Sequence, residues 1–126
     1  MNSKASETHG RRRSVQFQVL MDLCKMQIAP PRIPKYTLAV KPYSKTCHGR
    51  YYPETNKLIV YLYEDPECTR ERKYEDLFRT VLHEMAHHLQ HHDPYFIRVR
   101  GVMHNEHFYR LLNELESDAR DAEIID

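Results

Sequence analysis

Apolar positions along this chain switch between a spacing near 3.6 and a spacing of two, and the switches mark out six elements. From Ser14, a residue suited to a helix N-cap, Val15, Phe17, Val19, Leu20, Leu23 and Cys24 recur at near-helical intervals. Pro30-Pro31 ends that helix, and Pro34 keeps the next residues extended. Tyr36-Thr37-Leu38-Ala39-Val40 reads as a first strand, because β-branched and aromatic side chains fit a pleated, half-buried surface. Residues 47–52 predict a second strand and residues 57–63 a third. The turn between these two, Pro53-Glu54-Thr55-Asn56, is short, so they pair antiparallel, with Asn56 suited to a left-handed backbone. In the third strand Leu58, Val60 and Leu62 share one face, and Ile59, Tyr61 and Tyr63 the other. Apolar residues on both faces call for a helix over at least one of them.

A long helix is predicted over 71–92. Phe78, Leu82, Met85 and Leu89 fall at i, i+4, i+7 and i+11, a stripe that faces the sheet. Asp93-Pro94 ends it. Residues 95–103 read as a loop or irregular strand. A last helix over 104–122 has Phe108, Leu111, Leu112 and Leu115 as its apolar face. The expected fold is therefore α+β: an N-terminal helix, a small antiparallel three-stranded sheet, a long helix and a C-terminal helix. One domain is expected over 14–122, with a disordered basic tail over 1–13 and an acidic tail over 123–126.

Length and composition narrow the setting. At 126 residues the chain is of single-domain size. It contains no run of about 18 apolar residues, so no membrane span is expected. Residues 1–13 carry no apolar core of a secretory signal. Cys24, Cys47 and Cys68 are widely spaced with no C-x-x-C, which excludes a disulfide scaffold and a zinc ribbon and makes a cytoplasmic location the expectation. The net charge of +1 is unevenly spread: residues 1–57 carry 11 Lys and Arg against 3 Asp and Glu, and residues 58–126 carry 8 against 15. Such a split gives either two surfaces that attract within one fold, or a basic face that makes DNA a candidate partner.

The chemistry concentrates in His83-Glu84-Met85-Ala86-His87. Two histidines four apart on a helix point the same way, so their imidazoles can share one Zn2+ at about 2.0–2.1 Å. The glutamate between them reaches a metal-activated water, which is the physical content of the HExxH motif of zinc hydrolases. His83 and His87 lie about 100° round the helix from Leu82 and Ala86, at the border of the buried stripe. A catalytic zinc needs a third protein ligand. Seven of the nine histidines lie between positions 83 and 107. Three ligands in a line along one helix cannot surround a tetrahedral ion, so His88, His91 and His92 read as a polar edge. The third ligand is then expected at the start of the last helix, where either His104 or His107 can reach.

The run Leu82-His83-Glu84-Met85-Ala86-His87-His88-Leu89-Gln90, followed by His104-Asn105-Glu106-His107-Phe108, resembles the SprT-like zinc metallopeptidases, as does the segment Gly49 to Val60 ahead of the helix. The resemblance covers roughly residues 14–116. In that family an aromatic residue follows the third histidine by four positions, and His104 with Phe108 matches this spacing. The resemblance implies Zn2+ held by His83, His87 and His104, with Glu84 as general base and then general acid in hydrolysis of a peptide or protein substrate. It further implies an extended peptide aligned by strand addition near residues 58–63. Tyr95, Arg98, Arg100 and Tyr109 are the candidate donors to the oxyanion. The alternative to an enzyme is a zinc-stabilised binding or regulatory domain.

Overall fold

The computed structural model describes residues 3–29, 31–94 and 104–126, with side chains from residue 8 onward. The order is helix α1 (Ser3–Lys25), strands β1 (Thr37–Lys41), β2 (Gly49–Tyr52) and β3 (Lys57–Tyr61), and helices α2 (Tyr74–His91) and α3 (Glu106–Asp121). The fold is α+β, as the periodicity implies. The irregular segment expected over 95–103 lies outside the described residues.

The sheet is mixed rather than antiparallel throughout. Its order is β1-β3-β2, with β2 antiparallel to β3 and β1 parallel to it. Hydrophobicity accounts for the order. Leu58, Ile59 and Val60 of β3 are all buried, so the most apolar strand takes the centre. The chain leaves β1, arches past the end of β3, descends along β2 and returns by the tight turn at Asn56 (φ 53°). The left-handed turn is as the sequence suggests. The parallel pairing was not legible, because the short loop between β1 and β2 hides the insertion of β3 between them.

α1 begins at Ser3, so residues 3–13 are helical and not a disordered tail, and Ser14 lies inside the helix rather than at its cap. No proline interrupts this stretch, and Lys and Arg are good helix formers. Arg11 ties it to the body of the fold through a bidentate pair with Glu71, Nη2 to Oε1 at 2.7 Å and Nε to Oε2 at 3.1 Å. The buried stripe of α1 is Val15, Val19 and Leu23, and Met26 just past the helix end continues it. Phe17, Leu20 and Cys24, expected to face inward, are exposed: Phe17 and Cys24 lie on the far side of the turn from that stripe and Leu20 on its flank.

α2 packs on the sheet through Leu77, Phe78, Val81, Leu82, Met85 and Ala86, all fully buried. α3 runs antiparallel beside it. At one end Arg79 of α2 pairs with Glu116 at 3.1 Å, and at the other Gln90 meets Asn105 at 2.9 Å. The expected acidic tail is folded back. Glu123 takes φ 60° and the Ile124 N–H bonds back to Ala119 C=O at 2.9 Å, which ends α3 and turns Ile125 into the core. Asp126 then donates its backbone N–H to Glu75 Oε1 at 3.2 Å. Among the described residues no helix is long and apolar enough to cross a membrane.

Candidate metal centre

His83 and His87 project from α2 at the edge of its buried face, both half-buried. His104 sits just ahead of α3 and is exposed. One nitrogen from each of the three imidazoles falls in a group whose members lie within 4.8 Å of one another. His87 Nε2 and His104 Nε2 are 3.1 Å apart. Ligand nitrogens on a tetrahedral zinc with bonds of about 2.0–2.1 Å are roughly 3.3–3.4 Å apart, so this pair needs little movement to share an ion. The protonation state also suits ligation. Burial lowers the pKa of His87 to about 4, helped by His83 and His104, and burial likewise lowers that of His83. Both rings are therefore neutral near pH 7, with lone pairs to offer. The donor set fits a zinc ion.

Phe108 closes the floor of the cluster. Its ring is fully buried, with centroids 4.9 Å from His83, 4.5 Å from His87 and 4.7 Å from His104. An apolar plate against three imidazoles limits their rotation and excludes water from that side.

Glu84 lies on the same turn as His83 and is only 6% exposed. Burial raises its pKa to about 7. The strand β2 covers it. A Cβ at Gly49 would stand 3.3 Å from Glu84 Cγ, 2.7 Å from Thr80 Cγ2 and 3.0 Å from the Ile59 carbonyl. Gly49 thus lets the strand pass close over the carboxylate-bearing side chain. Thr80 is held in turn by Arg72, whose buried guanidinium donates to Thr80 Oγ1 at 2.7 Å and to the Tyr61 carbonyl at 3.2 Å.

The remaining histidines separate by geometry. His107 points to the end of α2, with Nε2 2.9 Å from Asp93 Oδ2 and Nδ1 3.0 Å from Gln90 Nε2. It does not join the metal-type group. His88 is not part of a solvated edge but fully buried, with Nε2 2.8 Å from the Pro34 carbonyl and Nδ1 2.9 Å from Tyr51 Oη. His91 and His92 are exposed, and His92 Nε2 is 2.8 Å from Asn56 Oδ1. Of the candidate oxyanion donors, Tyr109 lies near the cluster, its ring 6.3 Å from His104. Tyr95, Arg98 and Arg100 lie outside the described residues.

The expected peptide-aligning strand needs correction as well. β3 is central, so its hydrogen-bonding edges are taken by β1 and β2. The outer edge of β1 is engaged by α1, where Val40 N–H donates to Gln16 Oε1 at 3.0 Å. β2 is the other edge strand, and it is the one that borders Glu84.

Sequence reasoning missed Gly49, Gln90, Arg72 and the structural role of His88. Asn105 carried a readable signal, since an Asn three residues before an apolar position is a typical helix start. The others are fixed by contacts across the fold and leave no local pattern. Comparison with family models, with curated proteins and with solved structures found no match.

Proposed function

We propose that this chain is a zinc-dependent peptide hydrolase of SprT-like type. The observation that carries the reading is that a third histidine, from the head of a different helix, meets the two histidines of the HExxH turn beside a buried glutamate. Zinc held by three imidazoles would supply Lewis acidity and would acidify water toward a pKa of about 7.

The chain's own groups do the rest. His83 and His87 are set by the rigid α2, and His104 by the start of α3. Glu84 takes a proton from the attacking water at its carboxylate and returns it to the leaving amine. Its burial, at 6% exposure, takes bulk water away from the carboxylate and makes it a stronger base. The edge of β2 offers backbone groups to an extended peptide beside Glu84. Tyr109, half-exposed and next to His104, is the described side chain best placed to donate to a developing oxyanion.

A zinc site that only stabilises the fold is usually closed by four protein ligands. Here the donor group has three members among the described residues, and His104 is open to solvent. That favours a catalytic over a structural role. The test is zinc titration of metal-free protein followed by a peptidase assay on an unfolded protein substrate. One equivalent of zinc should bind and restore hydrolysis. His104→Ala should weaken zinc binding strongly and His107→Ala much less; the reverse order would move the third ligand to His107.

A further inference from the structure

His104 precedes α3 rather than lying within it, so no helical hydrogen bond of its own fixes where it stands. Its position has to come from what holds the first turn of α3. That turn is tied to the end of α2 by a chain of four polar side chains, and the hydrogen bonds along it can be assigned one by one.

Gln90 is buried at 4% exposure, and its Nε2 has two contacts: Asn105 Oδ1 at 2.9 Å and His107 Nδ1 at 3.0 Å. An amide nitrogen carries two hydrogens, so one goes to each. Asn105 is the N-cap of α3, and the same Oδ1 accepts from the Phe108 N–H at 3.0 Å. A carbonyl oxygen has two lone pairs, so both are used. His107 Nδ1 accepts from Gln90, which places the ring hydrogen on Nε2, where it is given to Asp93 Oδ2 at 2.9 Å. Among the described residues, donors and acceptors along Asp93, His107, Gln90 and Asn105 match without a conflict.

The chain has two consequences for the cluster of three histidines. It fixes the residue directly after His104, and through the cap it fixes Phe108, whose ring touches His83, His87 and His104. It also occupies both nitrogens of His107, which removes that ring from competition for the ion. We propose that Gln90 is a positioning residue: by donating to both Asn105 and His107 it places His104 as the third ligand and keeps His107 out of the site. This rests on the three-histidine zinc reading above.

The experiment measures zinc affinity by competition with a chromophoric chelator, together with the visible spectrum of the cobalt-substituted protein. The variants are Gln90→Met, Asn105→Ala and Asn105→Asp, beside the wild type and His83→Ala. Gln90→Met keeps the volume and removes both donors. It should lose about 10–100-fold in zinc affinity, the usual cost of removing an outer partner of a ligand, and should alter the cobalt spectrum. Asn105→Ala should behave in the same way. Asn105→Asp keeps an oxygen that accepts from Gln90 and caps α3, so it should stay within a few-fold of the wild type. If Gln90→Met does not fold, the two Asn105 variants decide alone. Thermal stability of the metal-free proteins separates positioning from plain support. A Gln90→Met or Asn105→Ala protein that is less stable but binds zinc and gives the cobalt spectrum of the wild type would overturn the proposal. If the wild type binds no zinc, or His83→Ala binds it equally well, the metal reading itself has failed instead.

Discussion

The ring of Phe108 lies against that of His87, with centroids 4.5 Å apart and planes tilted by 31°. Because it touches His83 and His104 as well, one apolar side chain from α3 braces all three histidines of the candidate site. Phe108→Ala should therefore do two things at once. It should cost about 3–5 kcal/mol of stability, the usual range for a buried Phe, and about 10–100-fold in zinc affinity. Phe108→Leu should recover most of both. Thermal unfolding of the metal-free protein and a chelator competition read the two effects. Zinc affinity unchanged in Phe108→Ala would remove the bracing role.

Gly49 and Glu84 make the second pair. Adding a methyl group at Gly49 pushes against Thr80 Cγ2 and the Ile59 carbonyl, and then against Glu84 Cγ. Gly49→Ala should destabilise the fold by about 1–3 kcal/mol, the usual cost of overpacking. The three imidazoles lie elsewhere, so zinc should still bind at one equivalent. Turnover should fall at least tenfold because the base is displaced. Normal turnover with bound zinc would show that β2 does not set the position of Glu84.

These two relationships show what the sequence could and could not convey. His83, Glu84 and His87 were legible because helical spacing alone places them together. His104 was legible as one of two choices, and Phe108 as a core residue four positions after His104, but not as a contact of all three rings. The choice between His104 and His107 depends on Gln90 and Asn105, whose contacts span 15 to 17 positions and leave no periodic trace. Helix α2 was readable from its long apolar stripe. The mixed sheet was not, since strand order follows from which strand is buried on both sides. The helical start of α1 was misread because a basic run resembles a disordered tail unless its partner, Glu71, is known.

Glu84 makes the metal-free protein sensitive to alkaline pH. Its folded pKa is about 7, against an ordinary 4.5. A raised carboxyl pKa means the folded state holds its proton more tightly than the unfolded chain does. The stability this brings is fully present below pH 4.5 and is lost as pH rises through 7. With a shift of this size, Glu84→Gln should gain on the order of 3 kcal/mol over the metal-free wild type at pH 8, and little at pH 4.5. Urea unfolding at the two pH values checks it. An equal difference at both would mean that the Glu84 carboxyl is not desolvated.

His88 supplies an acid-side counterpart. It faces the Pro34 carbonyl, which only accepts, so Nε2 carries the hydrogen and Nδ1 accepts from Tyr51 Oη. Burial lowers its pKa below 6.5, so the neutral ring stabilises the fold above pH 6.5 and the contribution is lost as pH falls through the depressed value. His88→Leu should leave the Pro34 carbonyl unpaired, with the Tyr51 hydroxyl turning to Asn56 Oδ1 at 3.2 Å, and cost about 1–3 kcal/mol at pH 7. It should also show a weaker loss of stability toward pH 5 than the wild type. An identical pH profile in the two proteins would count against a neutral His88.

The proposed hydrolysis rests on one carboxylate, and one comparison tests it: zinc content and peptidase rate of Glu84→Gln beside the wild type. The three histidines are untouched by this substitution, so both proteins should hold one zinc per chain. The wild type should hydrolyse an unfolded protein substrate, and Glu84→Gln should do so at least a hundredfold more slowly, the scale of a lost general base. Equal rates at equal zinc content would contradict Glu84 as the base. A wild type that binds zinc yet hydrolyses nothing would leave a zinc-binding domain in place of an enzyme.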